Sequence, residues 1–237
     1  MAEPVWIAIG LATAAGLTIP AGASLGMHRF GLLPGWAESE ARHGVIAFGA
    51  GALLAAVALV LVPEGSARLP VGQTLLWFLA GAIAFALADR AIARKGGRAA
   101  QFMAMMTDYL PEAMALGALV TADLGTALLV AFLIALQNLP ESFNAMREMS
   151  ASARRQGRHV LFLFLLVVPL GPLAAVVGLS LDPGSLVIGA VMMLASGGIL
   201  YLMFQDIAPQ VALETSWLPP FGAILGFLLG LAGHLMI

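Results

Sequence analysis

Two short polar clusters interrupt long apolar runs in the middle of the chain. Residues 108–112 read DYLPE, and residues 137–141 read QNLPE, so the pattern repeats 29 residues later. In a helix, residues four apart lie on one face. Asp108 and Glu112 can therefore converge on one object, as can Gln137 and Glu141.

The proline in each cluster strengthens this interpretation. Pro111 and Pro140 have no N–H, so they cannot bond to the carbonyls of Thr107 and Leu136. We predict a kink in each helix and a backbone oxygen exposed beside each carboxylate. Oxygen donors gathered on two helices are the ligands that a divalent cation requires. Polar groups of this kind are costly inside a bilayer and usually functional there.

Composition places the clusters in a membrane protein. The chain has 237 residues, of which 61% are hydrophobic and 10% charged, and its mean hydropathy is +0.97. These values exclude a water-soluble globule and predict an all-α, polytopic protein with a single transmembrane domain over residues 1–237. The absence of cysteine excludes disulfides and thiolate metal ligands. We expect the lipid bilayer as a partner, and no nucleic acid.

Apolar runs and basic loops predict the topology. We predict eight transmembrane helices, over residues 5–26, 44–63, 72–90, 100–121, 124–146, 159–180, 184–204 and 218–236. Ten of the eleven Lys and Arg residues lie in loops that follow odd-numbered spans, and Arg68 is the exception. The positive-inside rule then puts those loops in the cytoplasm and both termini outside, in the cell (inner) membrane. The N-terminus lacks the basic region of a signal peptide, so the first run is predicted to remain as a span.

Other polar, proline and glycine residues suggest supporting roles. His43 opens span two and Gln205 and Asp206 close span seven, which makes them candidate entrance or exit residues. Span six carries Pro169, Gly171 and Pro172, enough to kink it. Span eight has glycines at four-residue spacing, which predicts a packing or dimer face. They are Gly222, Gly226 and Gly230.

A purely structural role for the carboxylates is the main alternative to a metal site. Asp108, Glu112 and Glu141 could be protonated, or tied up by neighbouring amides and hydroxyls. A single carboxylate would fit that interpretation. Three of them in two proline-containing repeats favour a functional site, because each costs about 2.5–3.5 kcal/mol to insert.

Several motifs together resemble the ZIP (Zrt/Irt-like) family of divalent metal transporters. They are FGAGALLAA at residues 48–56 followed by Pro63-Glu64, PEAMALG at 111–117, LQNLPE at 136–141, and GGILY at 197–201 leading to Pro209. The resemblance covers most of the chain. It implies eight spans and a metal held midway across the membrane between helices four and five. Carried over by position, the ligands are Asp108, Glu112, Gln137, Asn138 and Glu141.

The chain also departs from the family pattern. Asp108 stands where the family commonly has His, and Asn138 replaces a residue that is often acidic or His. Tyr109 stands in place of a ligand of span four. Gly171 stands where span six of family members with a second metal can carry a bridging Glu. We therefore expect one metal position rather than two.

The ligand types bear on which metal is carried. Three carboxylates and two amides make a hard oxygen site, which suits Mn²⁺ or Fe²⁺ and also Mg²⁺. The resemblance implies zinc, and the Irving–Williams order favours zinc over manganese at equal ligands. Zinc is thus the first candidate. The metal would be a substrate, and we expect no organic cofactor.

The predicted function is transport of a divalent metal cation toward the cytoplasm by alternating access. The alternative is a transport-inactive ZIP-like metal sensor or scaffold, suggested by the ligand replacements. A proton or monovalent-cation pathway through the same carboxylates also stays open. An enzyme is not expected, because the sequence has no HExxH motif and no candidate nucleophile beside the carboxylates. The resemblance and the glycines of span eight are both compatible with a homodimer.

Overall fold

The protein is helical throughout the part of the chain that the structure describes. A computed structural model describes residues 2–27, 40–94, 100–150, 157–181, 184–211 and 216–237. Within these ranges every regular element is a helix and no strand occurs. The predicted all-α class is confirmed.

Eleven α-helices follow one another in the described residues. They are α1 Ala2–Met27, α2 Glu40–Ala56, α3 Val62–Ala67, α4 Val71–Arg94, α5 Ala100–Ala122, α6 Leu124–Ser150, α7 Gly157–Val167, α8 Leu170–Ser180, α9 Leu186–Leu202, α10 Ala208–Val211 and α11 Leu218–Met236. A π-helical turn, Val57–Leu61, joins α2 to α3, and a second, Met203–Ile207, joins α9 to α10.

Seven helical stretches in the described ranges are long and apolar enough to cross a bilayer, so the protein is polytopic. They are Glu3–Met27, Glu40–Ala67, Val71–Ala91, Leu124–Arg147, Gly157–Ser180, Leu186–Gln205 and Leu218–Met236. Helix α5 is not among them, although its 23 residues would span about 34 Å. Its low hydropathy comes from the polar cluster at Asp108 and Glu112. The long helix that is left out of this set is thus the one that carries the first candidate cluster.

Prolines shape the helices in three different ways. Span six, for which the sequence predicts a kink, is interrupted, because α7 ends at Val167 and α8 begins at Leu170. Each π-helical turn ends two residues before a proline, Pro63 or Pro209. The helix containing Pro63 continues to Ala67, beyond the predicted end of span two. In contrast, α5 and α6 run without a break through their own prolines. Those prolines alter hydrogen bonding inside a helix rather than ending it.

The helices pack in two groups. In the first, the site group, α1 packs on α6 and α5 packs on both α6 and α8. In the second, the support group, α2 packs on α11, and α4 packs on α9. The two groups meet where α2 lies against α6 and where α5 lies against α9. Both candidate clusters therefore belong to the site group and lie next to its boundary with the support group.

The glycines of α11 are used for packing within the chain. A Cβ on Gly222 or Gly226 would collide with the backbone carbonyl of Gly44 or Phe48 in α2, and one on Gly230 would lie 2.4 Å from the Cβ of Ala55. Small residues let two helices approach this closely in lipid. The packing interpretation of this stripe is thus confirmed. The stripe faces α2, so it no longer supports the predicted homodimer.

The turn between α5 and α6 carries a helix cap with a predictable pH dependence. The Asp123 carboxylate accepts bonds from the Thr126 hydroxyl and the Gly125 N–H. The Thr126 bond is the main cause that lowers the pKa of Asp123 below its usual value of 3.8. Because the folded pKa is the lower one, the cap stabilises the fold above the usual pKa and is lost as pH falls through the lowered value.

We expect Asp123→Ala to destabilise the protein by about 1 kcal/mol at pH 7. The measurement is thermal unfolding in detergent at a series of pH values. The difference from the wild type should shrink as the pH falls below the lowered pKa. Asp123→Asn is the matched control: it keeps a side-chain acceptor, so it should lose less stability than Asp123→Ala at pH 7, and it has no carboxyl group to titrate. A difference that is constant with pH would contradict the role of the charged cap.

Candidate metal site

Helices α5 and α6 bring the two polar clusters together. Helix α5 contributes Asp108 and Glu112, and α6 contributes Gln137, Asn138 and Glu141. Asp108 is 5% exposed, and Glu112, Gln137 and Asn138 are each 1% exposed. Glu141 is half-buried. All five predicted ligands therefore lie on two helices that pack against each other.

A hydrogen bond joins the two clusters directly. The amide Nε2 of Gln137 donates to Oε2 of Glu112 at 2.6 Å. The carboxyl group of Glu141 is close enough to that of Glu112 to interact with it electrostatically, and Asp108 interacts with both. The sequence prediction that these carboxyls converge agrees with this geometry.

Several oxygen atoms in the cluster are buried without a partner. Oδ1 of Asp108, Oε1 of Glu112, Oε1 of Gln137 and Oε2 of Glu141 have no hydrogen-bond partner within the described part of the chain. Buried polar atoms are nearly always paired, because an unpaired one costs free energy. A bound cation, an added proton or water would each compensate these four unpaired acceptors.

Asn138 has an unpaired nitrogen rather than an unpaired oxygen. Its Nδ2 is also buried without a partner in the described ranges. Rotation of the amide by half a turn would exchange that donor for an oxygen. The Asn138 amide would then add an oxygen to the carboxylate and amide oxygens of the cluster, which are the ligands of hard divalent cations.

The carboxylates alone do not form a ready-made metal cluster. Among the residues that the structure describes, no group of three or more His, Cys, Asp or Glu side chains is placed to hold a metal ion. A cation would therefore need the amide oxygens of Gln137 and Asn138 as well, and a closer approach of the carboxylates. The Gln137–Glu112 bond would have to open for Glu112 to use both oxygens.

The candidate entrance and exit residues lie on α2 and on the second π-helical turn. His43 is six residues before Gly49, which faces Pro140, so it lies about 9 Å farther along α2. Gln205 is in the second π-helical turn and its side chain is exposed. The backbone of Asp206 is in the same turn, but its side chain lies outside the described residues. Their role as entrance or exit residues stays a prediction from the sequence.

Tyr109 has a role that the sequence did not show. Its side chain is 1% exposed, and its hydroxyl fits between Gly16 of α1 and Gly171 of α8. A Cβ on Gly16 would lie 2.5 Å from that hydroxyl, and one on Gly171 would lie closer still. The absence of a side chain at Gly171 was noted in the sequence only as a missing ligand. The structure shows that Tyr109 fills this space.

This fit predicts the effect of a single methyl group. Gly171→Ala should destabilise the protein by about 1–3 kcal/mol, because Tyr109 or the α8 backbone must move. Thermal unfolding in detergent measures it. In a Tyr109→Leu background the added cost of Gly171→Ala should nearly vanish. Gly10→Ala is the control, because nothing lies within 4 Å of its Cβ position. Equal effects of Gly10→Ala and Gly171→Ala would contradict the fit.

No family model matches the chain, and no curated protein matches it. Membership of the ZIP family stays a prediction from the motifs quoted above.

Proposed function

We propose that the protein is a ZIP-like transporter that moves a divalent metal cation toward the cytoplasm. The observation that supports this best is the set of unpaired acceptors on Asp108, Glu112, Gln137 and Glu141, buried between two helices of a membrane protein. An uncompensated set of this kind is expensive in a low-dielectric region, and a bound cation would compensate it. Zinc is the first candidate, and Mn²⁺ and Fe²⁺ suit the oxygen donors.

The proposal includes a full eight-span topology. Helix α5 would be the eighth span, since its length is sufficient and its low hydropathy comes from the site itself. The excess of Lys and Arg in loops after odd-numbered spans supports cytoplasmic placement of those loops and both termini outside. On this topology α6 runs inward, and its C-terminal end faces the cytoplasm.

Binding would exchange water for protein oxygens. A hydrated cation reaching the cluster would replace its waters with the carboxylates of Glu112 and Glu141 and the carbonyl oxygen of Gln137. Asp108 and Asn138 would supply the remaining ligands. The Gln137 side chain would turn from donor to ligand, which frees Oε2 of Glu112. Binding to carboxylates is linked to their ionisation, so metal affinity should rise with pH.

Transport would use the boundary between the two helix groups. The ligands all belong to the site group, so movement of that group against the support group could carry the site from one side to the other. At site depth the boundary includes the contact of Gly49 with the Pro140 ring, at 2.6 Å from a Cβ position on Gly49. This contact has no bulky interlocking side chain from α2.

A transport-inactive sensor or scaffold is the second candidate. The Gln137–Glu112 bond and the absence of a ready-made three-residue cluster in the described ranges favour it. Such a protein would keep the fold and the polar network without turnover.

Uptake and binding measurements on the wild-type protein separate these candidates. Proteoliposomes loaded with a metal-sensitive dye would be offered Zn²⁺, Mn²⁺ and Fe²⁺ in turn, with K⁺ and a pH gradient as competitors. Saturable uptake of a divalent ion supports the transporter. Micromolar binding without uptake supports the sensor. Proton or K⁺ flux without divalent uptake would contradict both.

A further inference from the structure

Polar side chains continue along α6 beyond the candidate metal site. Gln137, Glu141 and Asn144 follow at spacings of four and three residues, so they share one face of the helix. Asn144 is only 4% exposed. Arg147 follows three residues later, near the end of α6. This polar stripe is a continuous line from the site to the C-terminal end of the helix.

An arginine from the other helix group lies across this stripe. Arg42, in the first turn of α2, donates from Nη2 to Oδ1 of Asn144 at 3.3 Å. Its side chain is half-buried. Asn144 belongs to the site group and Arg42 to the support group. The bond therefore joins the two groups at the end of the stripe.

The charge at this point opposes a departing cation. An arginine stays protonated under all ordinary conditions. The Arg147 guanidinium is close enough to Arg42 to repel it, and it lies 5.7 Å from the centre of the Phe143 ring. A divalent cation that left the site along the stripe would meet these positive groups in a partly desolvated place, where repulsion is strong.

Near the candidate metal site, α2 and α6 meet through apolar groups. Gly49 meets the Pro140 ring near the site, and neither residue has a polar side chain. Separation of α2 from α6 at their ends requires that Arg42 release Asn144. The hydrogen bond that holds α2 to α6 and the positive charge that repels a cation thus both belong to Arg42.

We infer that Arg42 and Asn144 form an inner latch, which closes the cytoplasmic end of the metal passage until the two helix groups move apart. This inference rests on the proposed function, because the latch closes a passage for the transported metal. When the latch is closed, Arg42 blocks the polar stripe. When it opens, the guanidinium moves away with α2 and the stripe becomes continuous with the cytoplasm.

The absence of native cysteine provides a direct test of latch opening. Ala145 lies four residues after Glu141 on the same face and is 0% exposed. A single Ala145→Cys variant, purified in detergent, would be labelled with a membrane-impermeant maleimide. Arg42→Gln added to it should increase the labelling rate about tenfold, since a charge-assisted hydrogen bond is lost. Asn144→Ala should increase the labelling rate by a similar factor. The labelling rate with both substitutions should be only slightly higher than with either one alone.

The controls decide whether the effect belongs to this contact. Arg90→Gln removes an exposed arginine from α4 and should leave the labelling rate unchanged. Unchanged labelling in both Arg42→Gln and Asn144→Ala would overturn the latch, as would effects that simply multiply. The labelling needs no metal, so failure of the metal-site proposal leaves this result readable. Failure of the latch likewise leaves the metal-binding tests unaffected.

Discussion

Glu112→Gln and Glu141→Gln are each expected to lower the affinity for a divalent cation by at least about a hundredfold and to abolish uptake into proteoliposomes. Each change replaces a carboxylate by an amide of nearly the same size, so packing is preserved while one negative charge is lost. Loss of even an outer-shell partner of a metal costs about 10–100-fold. A direct ligand should cost more. Binding is measured by titration calorimetry and uptake by a metal-sensitive dye.

The same two substitutions should not destabilise the metal-free protein, although they weaken metal binding. Glu112 has an unpaired Oε1 and Glu141 an unpaired Oε2 in the described structure. Removal of an uncompensated buried charge should leave the metal-free protein at least as stable as the wild type. Glu3→Gln is the matched control, because Glu3 is exposed on α1. Wild-type uptake in both site variants would remove these carboxylates from the mechanism. A loss of uptake that accompanies unfolding would count as a folding defect.

Asp108→His is expected to shift the selectivity of the site toward zinc. The change adds an imidazole nitrogen to a site that otherwise offers only oxygen donors. Imidazole suits Zn²⁺, whereas Mn²⁺ prefers carboxylate, carbonyl and water oxygens. We expect the ratio of zinc to manganese affinity to rise by about 10–100-fold, with uptake of Mn²⁺ reduced. Competition between the two ions in binding and uptake assays measures this ratio.

The control for this change is Asp108→Asn. It removes the charge without adding nitrogen ligation, so it should weaken binding of both metals and leave their ratio nearly unchanged. Asp108 is 5% exposed and its Oδ1 has no partner in the described part of the structure. An unaltered ratio in Asp108→His would show that residue 108 does not touch the metal.

Local patterns in the sequence were sufficient to predict which polar side chains come together. The four-residue spacing of Asp108 with Glu112 and of Gln137 with Glu141 places each pair on one helix face, and the structure brings those faces together. Pro169, Gly171 and Pro172 likewise predicted a kink in span six, where the structure has the break between α7 and α8. These features depend on helix geometry and on proline chemistry, which act over a few residues.

Contacts between distant segments could not be predicted in this way. The slot for Tyr109 is formed by Gly16 and Gly171, which lie on two different helices far apart in the chain. The bond from Arg42 to Asn144 likewise joins residues separated by 102 positions. Such pairs follow from which helices pack together, and a single sequence does not contain that information. The π-helical turns before Pro63 and Pro209 were also missed, since the sequence showed only the prolines.

The most direct test of the account is metal analysis of the purified protein offered an equimolar mixture of Zn²⁺, Mn²⁺ and Fe²⁺, followed by anomalous scattering from crystals of the loaded protein. We predict one metal ion per chain, with its anomalous peak between the Glu112 and Glu141 carboxyls and within ligand distance of Gln137 and Asn138. The peak should be lost in Glu112→Gln. A protein that retains no metal, or a peak outside the α5–α6 contact, would contradict the central claim.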